Sequence, residues 1–238
     1  MRRLLCSASF AMLAVTLVPA PAHAQQSFNF YIGEFVPKGL DSRDVNDVLL
    51  NDTSFLDYNF RAFRQPTIGA EWLVDLGDKT EAGLGVGYYE HTAPAVDAFS
   101  VFDTTGAPIA ANLRLRTVPF TATFRFLPMG HGNGIEPYIG AGITAISYKY
   151  SETGNFVATD GVSIVNGRFV GSGGAVGPVI LGGVRFPFGP LAIGGEVRWQ
   201  SATGKLPDDQ NFAASTPTSS SRIDLGGVSY LMTFNVRF

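Results

Sequence analysis

Residues 230–238 alternate large apolar and polar side chains almost without interruption. Successive side chains of a strand point to opposite faces, so one face of this segment carries only apolar groups. A strand of this kind promotes aggregation unless it is paired on both edges. A membrane barrel pairs both edges and turns the apolar face to lipid. The pattern therefore predicts a barrel strand whose lipid-facing residues are Tyr230, Met232, Phe234, Val236 and Phe238.

The first 24 residues have the features of a secretory signal peptide. Arg2 and Arg3 precede a mostly apolar run at 4–18, and Ala-His-Ala follows at 22–24. A basic start, a short apolar run and a small-x-small motif are typical of a cleaved export signal. We therefore expect a signal peptide over 1–24 and a barrel domain over 25–238. Cleavage would remove Cys6, so we expect no disulfide, zinc or thiol chemistry. We also expect no other metal and no cofactor.

Composition narrows the remaining classes of protein. Beyond residue 24 no window of 18 apolar residues occurs, although 45% of the chain is hydrophobic. Helical membrane spans are therefore not expected. The formal net charge of −3 argues against a nucleic-acid partner.

Eight segments show the period-two alternation of strands, and the connections between them alternate in length. An even strand count with short turns at one end and long loops at the other is typical of outer-membrane barrels. The sequence thus predicts an all-β fold, an eight-stranded antiparallel up-and-down transmembrane β-barrel with the short turns and both termini in the periplasm. The predicted strands are 28–36, 66–76, 81–91, 113–127, 136–150, 176–186, 191–202 and 223–238, and the four long extracellular loops are 37–65, 92–112, 151–175 and 203–222.

Charged residues on the polar faces of these strands would point into the lumen. A charge near the middle of a bilayer costs roughly 2–4 kcal/mol on the lipid side, and an unpaired buried ion is also costly. We therefore expect Glu71 or Glu196 to pair with Arg198 or with another luminal arginine. Such charges would form either a salt-bridged plug or the lining of a narrow polar path. The predicted luminal charge network is Glu71, Glu81, Arg125, Arg185, Glu196, Arg198 and Arg237.

Two features near the predicted loops have alternative interpretations. Arg114 and Arg116 share the strand face of Phe120, so either a bulge lies near Thr117 or both arginines stand above the membrane, which we favour. Residues 43–50 would form a short helix over the barrel mouth or an ordinary loop.

Catalytic residues are scarce. His91 is predicted at the outer rim and His131 in a periplasmic turn, so the two histidines would not share a site. A surface triad of His91, Asp97 and Ser100 has little support, because the order typical of a serine hydrolase is absent. We therefore expect no enzymatic activity and no catalytic residue.

Short motifs resemble those of a known family. Phe-Asn-Phe-Tyr-Ile-Gly at 28–33, Pro-Tyr-Ile-Gly-Ala-Gly-Ile at 137–143 and the terminal Phe238 resemble the outer-membrane β-barrel domain family of Gram-negative bacteria, in its OmpA-like and OmpW-like eight-stranded members. The resemblance implies export through the secretory pathway to the bacterial outer membrane. The partners expected there are lipid, lipopolysaccharide and the barrel assembly machinery, which would read the terminal aromatic residue.

The function expected from these features is non-enzymatic. We expect a largely plugged polar lumen, with the outer loops serving envelope structure or surface interaction. The alternative is a narrow channel or a carrier for small, hydrophobic molecules across the outer membrane.

Overall fold

The computed structural model describes residues 25–102, 105–132, 134–158, 160–207 and 222–238. The predicted signal peptide at 1–24 lies outside the described residues, so its prediction remains untested. Among the residues that the structure describes, no helix is long and apolar enough to cross a membrane.

The described chain is mostly strand. Short helical turns occur only in the first loop, namely 3-10 turns at Leu40–Ser42 and Phe60–Phe63 and the helix α1 at Val48–Asp52. The strands are β1 (Gln26–Pro37), β2 (Leu56–Tyr58), β3 (Gln65–Gly77), β4 (Thr80–Val101), β5 (Pro108–Phe126), β6 (Glu136–Val157), β7 (Ile164–Phe188), β8 (Leu191–Gln200), β9 (Thr203–Lys205), β10 (Arg222–Asp224) and β11 (Gly227–Arg237).

Eight of these strands form a closed ring in the order β1, β3, β4, β5, β6, β7, β8 and β11. All neighbours are antiparallel, and the ring closes between the first and last strands, from Ser27 opposite Arg237 to Pro37 opposite Gly227. Closure leaves no free strand edge in the ring. The prediction of an eight-stranded antiparallel up-and-down barrel is confirmed.

The outward faces of the ring form an apolar belt. Met232 is 75% exposed and Ile32 is 58% exposed, and their neighbours on other strands are similar. A continuous apolar surface of this kind is incompatible with water but suits a bilayer. Aromatic side chains border the belt at both ends, as in membrane barrels: Phe28, Phe126, Phe186 and Phe238 at the end with short turns (the turn end), and Tyr88, Trp199 and Tyr230 toward the end with long connections (the loop end).

The predictions of long loops at 92–112 and 151–175 are wrong. β4 and β5 continue as a paired ribbon through most of 92–112, and β6 and β7 do the same through most of 151–175. The inward residues of these extensions are apolar and buried, for example Ala93, Leu113 and Leu115. The alternation therefore continues beyond the membrane with polar residues outside, and the strands enclose a second interior.

The last predicted strand, 223–238, is divided into β10 and β11 by two residues. The Asp224 carboxylate accepts a hydrogen bond from the Gly226 amide at 2.8 Å, and Leu225 N–H donates to the Ala202 carbonyl at 2.9 Å. These contacts turn the chain at the barrel mouth before β11 enters the ring.

The register between β4 and β5 shows whether a bulge lies near Thr117. The register is the same from Thr80 opposite Phe126 to Val96 opposite Ala110, on both sides of a short gap in the pairing at Gly87 and Tyr88, so no bulge lies there. Arg114 and Arg116 consequently face outward, beyond the last apolar residues of the belt.

Candidate functional site

The lumen within the belt is filled by a ring of two arginines and two glutamates. The Arg125 guanidinium lies 2.6 Å from Glu71 Oε2 and 3.0 Å from Glu196 Oε2. The Arg198 guanidinium lies 3.0 Å from Glu71 Oε1 and 2.6 Å from Glu196 Oε1. Each charge thus has two opposite partners, and all four side chains are almost completely buried. Such multiple pairing offsets the large cost of removing ions from water.

Aromatic rings and small residues position this ion ring. Tyr138 lies beneath the Arg125 guanidinium at 4.9 Å and donates a hydrogen bond to Glu196 at 3.0 Å. Tyr31 lies 5.0 Å from the Arg198 guanidinium. Gly85 makes room, because a Cβ there would lie 2.5 Å from Cγ of Glu71. Cation–π contacts of this kind add roughly 0.5–2 kcal/mol when desolvated.

A second charged layer lies closer to the turn end. Arg185 pairs with Glu81 at 2.6 Å, and Arg237 pairs with Glu136. The structure therefore brings the seven predicted luminal residues into two layers rather than one network. Glu136 was missed from the sequence because it begins β6, beside a turn. Its place on the same strand face as Tyr138 is the signal that would have identified it.

Beyond the belt, residues 38–64 fold into the loop end of the barrel and form what we term the loop cap. Val48, Leu49 and Phe63 of the cap are fully buried. They pack with inward apolar residues of the extended strands, including Leu113 and Tyr148, in one cluster. The predicted helix over the mouth at 43–50 forms at Val48–Asp52 instead, where Asp47 caps it.

Asp47 and Arg43 fasten the loop cap to the barrel. The Arg43 guanidinium contacts both Asp47 carboxylate oxygens, at 2.9 and 3.0 Å, and donates to the Asp224 carbonyl at 3.2 Å. Asp47 also accepts from the amides of Leu49 and Leu50 at the start of α1. One buried ion pair thus joins the first loop to the segment before β11.

A buried carboxyl pair lies between the loop cap and β6. Asp52 accepts a hydrogen bond from the Tyr150 hydroxyl at 2.6 Å, and Asp52 and Glu152 are both fully buried. Burial raises the pKa of Asp52 well above its usual range, and the nearby Glu152 carboxyl raises that pKa further. The proton is retained because ionisation would place a charge in an apolar interior beside another acid.

Little space remains between the ion ring and the loop cap. The cavity there has a volume of about 20 Å³, and its lining includes Arg198 of the ion ring and Phe35 and Tyr89 of the apolar cluster against which the loop cap packs. This volume holds about one water molecule. Paired charges therefore occupy the interior of the barrel within the belt, and apolar side chains occupy the interior beyond it.

The extended strand β4 separates the residues of the suggested surface triad. His91 and Ser100 are nine positions apart on this strand, a distance of about 30 Å at the usual rise per residue. Asp97 instead accepts hydrogen bonds from the amides of Phe99 and Ser100, at 2.9 and 2.7 Å. The triad does not form, and His91 contacts the Phe63 ring edge-on.

Four cations gather on the outward face just beyond the belt. Arg116 lies opposite Lys149 in the register of β5 and β6, and Arg114 lies two positions further from the belt, opposite Ser151. Arg168 on β7 lies opposite Thr153. Glu90 pairs with Arg114 and is the acid that lines the same depression. We term Arg114, Arg116, Lys149 and Arg168 the basic patch.

The terminal strand places its five predicted apolar residues, Tyr230 to Phe238 at alternate positions, toward the outside of the ring. Phe238 stacks on Phe28 of the neighbouring strand with ring centroids 5.6 Å apart. Whether this strand is read during assembly remains a prediction.

Comparisons with known proteins gave structural similarity only. No family model and no curated protein matches the sequence. OprG from Pseudomonas aeruginosa is similar at 12% identity and a TM-score of 0.48, covering 90% of this chain and 96% of that one. Outer membrane protein W of E. coli is similar at 14% identity and a TM-score of 0.42, covering 91% and 100%. Neisserial surface protein A is similar at 10% identity and a TM-score of 0.42, covering 90% and 97%. The resemblance noted in the sequence is to the same class of small outer-membrane barrels, while the fold assignment rests on the closed ring itself.

Removing one carboxylate from the ion ring should destabilise the barrel strongly. In Glu71→Gln, Arg125 and Arg198 would share the single charge of Glu196, and breaking a buried ion pair in this way costs about 3–5 kcal/mol. We expect a lower midpoint in urea unfolding of the folded protein in lipid vesicles. Glu34→Gln, at an exposed carboxyl of β1, is the control and should change stability by less than about 0.5 kcal/mol. Equal midpoints for the two variants would contradict a stabilising role of the ring.

Docking of the loop cap should weaken as pH rises. Because the pKa of Asp52 is raised in the docked cap, docking retains a proton that the free loop releases above its ordinary pKa of about 4. The contribution of Asp52 to the stability of the docked cap is then greatest below pH 4. It falls as pH rises, until the docked carboxyl ionises. Asp52→Asn should remove much of this slope, as measured by hydrogen exchange of residues 48–64 between pH 5 and 8, corrected for intrinsic rates. An unchanged slope in the variant would show that another group controls docking.

Proposed function

We propose that this protein is a non-enzymatic barrel of the bacterial outer membrane with a closed lumen, and that it serves envelope structure or surface interaction through its loop end. The observation that carries the proposal is that side chains occupy the lumen in two successive sections. The ion ring occupies the section inside the belt, and the loop cap occupies the section beyond it. A barrel with a filled interior offers ligands its outer surface rather than a path.

The proposed location follows from the architecture. A closed barrel whose apolar belt is bounded by aromatic residues is typical of bacterial outer membranes. In that membrane the turn end would face the periplasm, and the loop end, with its ribbons and cap, would face outward. The extended ribbons support a role at this surface, because they build a rigid wall well beyond the bilayer.

The alternative is a narrow channel or a carrier for small molecules. Transport along the axis would require the ion ring to separate and the loop cap to leave the mouth. Separation of the ring alone would expose four buried charges, which costs several kcal/mol for each ion that loses its partners. The closed lumen is therefore the better supported of the two proposals.

The basic patch suggests a lipid partner at this surface. It lies directly beyond the apolar belt on the same outward face. In a bilayer that covers the belt, lipid headgroups would begin at this level. Four cations accompanied by the single acid Glu90 would attract the phosphates of lipopolysaccharide in the outer leaflet. Ser151 and Thr153 lie between the cations and would offer hydroxyl hydrogen bonds to the same groups.

Single-channel recording tests the closed lumen. We expect the purified protein to give no stable unitary current after insertion into a planar bilayer, because the ion ring and the loop cap would obstruct the axis. Insertion must be verified separately, for example by protection of the belt from protease, with an empty-detergent control. Reproducible unitary steps from verified insertions would overturn the closed lumen and favour the channel.

Charge reversal tests the basic patch. Arg116→Glu with Lys149→Glu should weaken binding of lipopolysaccharide at least about tenfold, since each cation near an anionic surface contributes roughly 1 kcal/mol. Binding is measured as the shift in unfolding temperature with native and with dephosphorylated lipopolysaccharide. Lys205→Glu, an exposed cation of β9 outside the patch, is the matched control. Equal binding by all variants, or equal binding of the dephosphorylated lipid, would rule out phosphate recognition here.

A further inference from the structure

At the turn end of the barrel, three side chains with metal-binding atoms converge from different parts of the chain. Asp75 lies near the end of β3, Glu81 begins β4, and His131 belongs to the turn between β5 and β6. One ligand atom from each residue lies within 4.8 Å of the others. We propose that Asp75, Glu81 and His131 form a binding site for a divalent transition-metal ion of the zinc type.

The distances within this cluster fit a shared ion better than hydrogen bonds. His131 Nε2 lies 3.6 Å from Asp75 Oδ2 and 3.9 Å from Glu81 Oε1. Hydrogen bonds between such atoms are 2.7–3.2 Å long. Ligand atoms bound to one tetrahedral zinc ion, with bonds of 2.0–2.2 Å, lie about 3.3–3.6 Å apart. A small inward movement of the ligands would complete the geometry.

Three polar atoms of the cluster lack a hydrogen-bond partner among the described residues. Both ring nitrogens of His131 and Oε1 of Glu81 are buried without a hydrogen bond. The Glu81 side chain is only 1% exposed, and its other oxygen is occupied by Arg185. Buried polar groups nearly always have a partner, so atoms without one indicate a ligand that binds there.

The charges around the cluster also favour a cation. Asp75 and Glu81 lie directly opposite each other in the β3–β4 register. Like charges at opposed positions destabilise a strand pair. Three carboxylates of this layer, from Asp75, Glu81 and Glu136, lie near the guanidinium groups of Arg185 and Arg237. Arg125 also lies opposite Glu81, in the β4–β5 register, but it is ion-paired with Glu71 and Glu196. The ion ring carries equal numbers of positive and negative charges, so the turn-end layer has one carboxylate in excess of its own guanidinium groups.

The turn that carries His131 is held in place independently of any ion. Leu127 is fully buried, and its amide donates to the Lys79 carbonyl in the β3–β4 turn at 2.8 Å. Gly130 and Gly132 have φ values of +70° and +85°, which side chains rarely adopt, so the glycines allow the turn to fold back over the barrel end. The imidazole is thereby directed toward the two carboxylates, and an ion would link the two turns.

The donor set selects the class of ion. One imidazole with two carboxylates suits zinc and related transition metals, whereas magnesium and calcium prefer oxygen donors alone. Asp75 and His131 remain about 15% and 16% exposed, which leaves a path for the ion from the turn end. The site is separate from the basic patch and from the loop cap, and its existence does not depend on the function proposed above.

Calorimetric titration with zinc chloride tests the site in the full chain, purified without a polyhistidine tag from membranes of expressing cells. We expect one saturable zinc site and no comparable binding of magnesium. His131→Ala should weaken zinc binding at least about tenfold, since even the loss of a residue behind a ligand costs 10–100-fold. Asp75→Asn should act in the same direction. His91→Ala, at the other histidine among the described residues, is the matched control and should bind zinc as the unmodified chain does.

Cobalt provides a second readout that does not depend on stability. Bound Co²⁺ should give visible absorption bands that disappear in His131→Ala and persist in His91→Ala. Correct folding of every variant is verified by the difference in gel mobility between heated and unheated samples. Absence of saturable zinc binding in the folded protein, or binding that survives both His131→Ala and Asp75→Asn, would overturn the proposal.

Discussion

Hydrogen-bond closure between the first and last strands is the constraint on which the rest of the structure depends. Lipid offers no partner to a backbone amide or carbonyl, so a sheet can span a membrane only when its edges meet. Here β1 pairs with β11 over its length, and Ser27 lies opposite Arg237 at the turn end of the ring. Closure at eight strands then fixes a lumen only as wide as side chains can fill. The charged interior is a consequence of this width.

Because the strand faces are fixed by the ring, the chemistry of each face must change along the axis. Within the belt, β5 turns charged or polar side chains inward and apolar side chains outward, as at Arg125 and Phe124. Beyond the belt the same two faces exchange character, with Leu113 and Leu115 inside and Arg114 and Arg116 outside. No change of register accompanies the exchange. One continuous strand therefore suits lipid within the belt and water beyond it. The loop cap fills the apolar interior that the exchange of faces creates.

The sequence predicted the barrel well, because strand alternation is a local property of the pattern. Strand number, order and facing all follow from period-two alternation, as in 113–127. The ends of β4 to β7 were not predictable in the same way. Their extensions keep the alternation but invert its polarity, and a rule based on the length of a membrane span stops the strand at the membrane surface. The loop cap was anticipated only as a helix over the mouth, since its packing depends on contacts such as Tyr89 with the Phe63 carbonyl that join distant segments.

The candidate sites were likewise predictable from the sequence only in part. Alternation assigns Glu71, Glu81 and Arg185 to the lumen, but it does not assign partners, because pairing depends on the stagger between strands around the ring. Glu81 has Asp75 and Arg125 as its cross-strand neighbours, yet its ion-pair partner is Arg185 from across the lumen. His131 is the clearest example of a residue whose surroundings the sequence does not reveal. In the sequence it is a turn residue between glycines, and only the folding of that turn over the barrel end brings its ring to two carboxylates.

Charge balance connects these observations. A barrel this narrow leaves little room for water to screen its interior, so a luminal charge is stable only when a neighbour within contact distance neutralises it. The ion ring meets this requirement with two arginines and two glutamates. The layer at the turn end has one carboxylate more than its guanidinium groups can neutralise, and the unpaired excess lies at the one place in that layer where His131 also presents free nitrogens. The same electrostatic rule that closes the middle of the barrel therefore leaves its turn end ready to accept a cation.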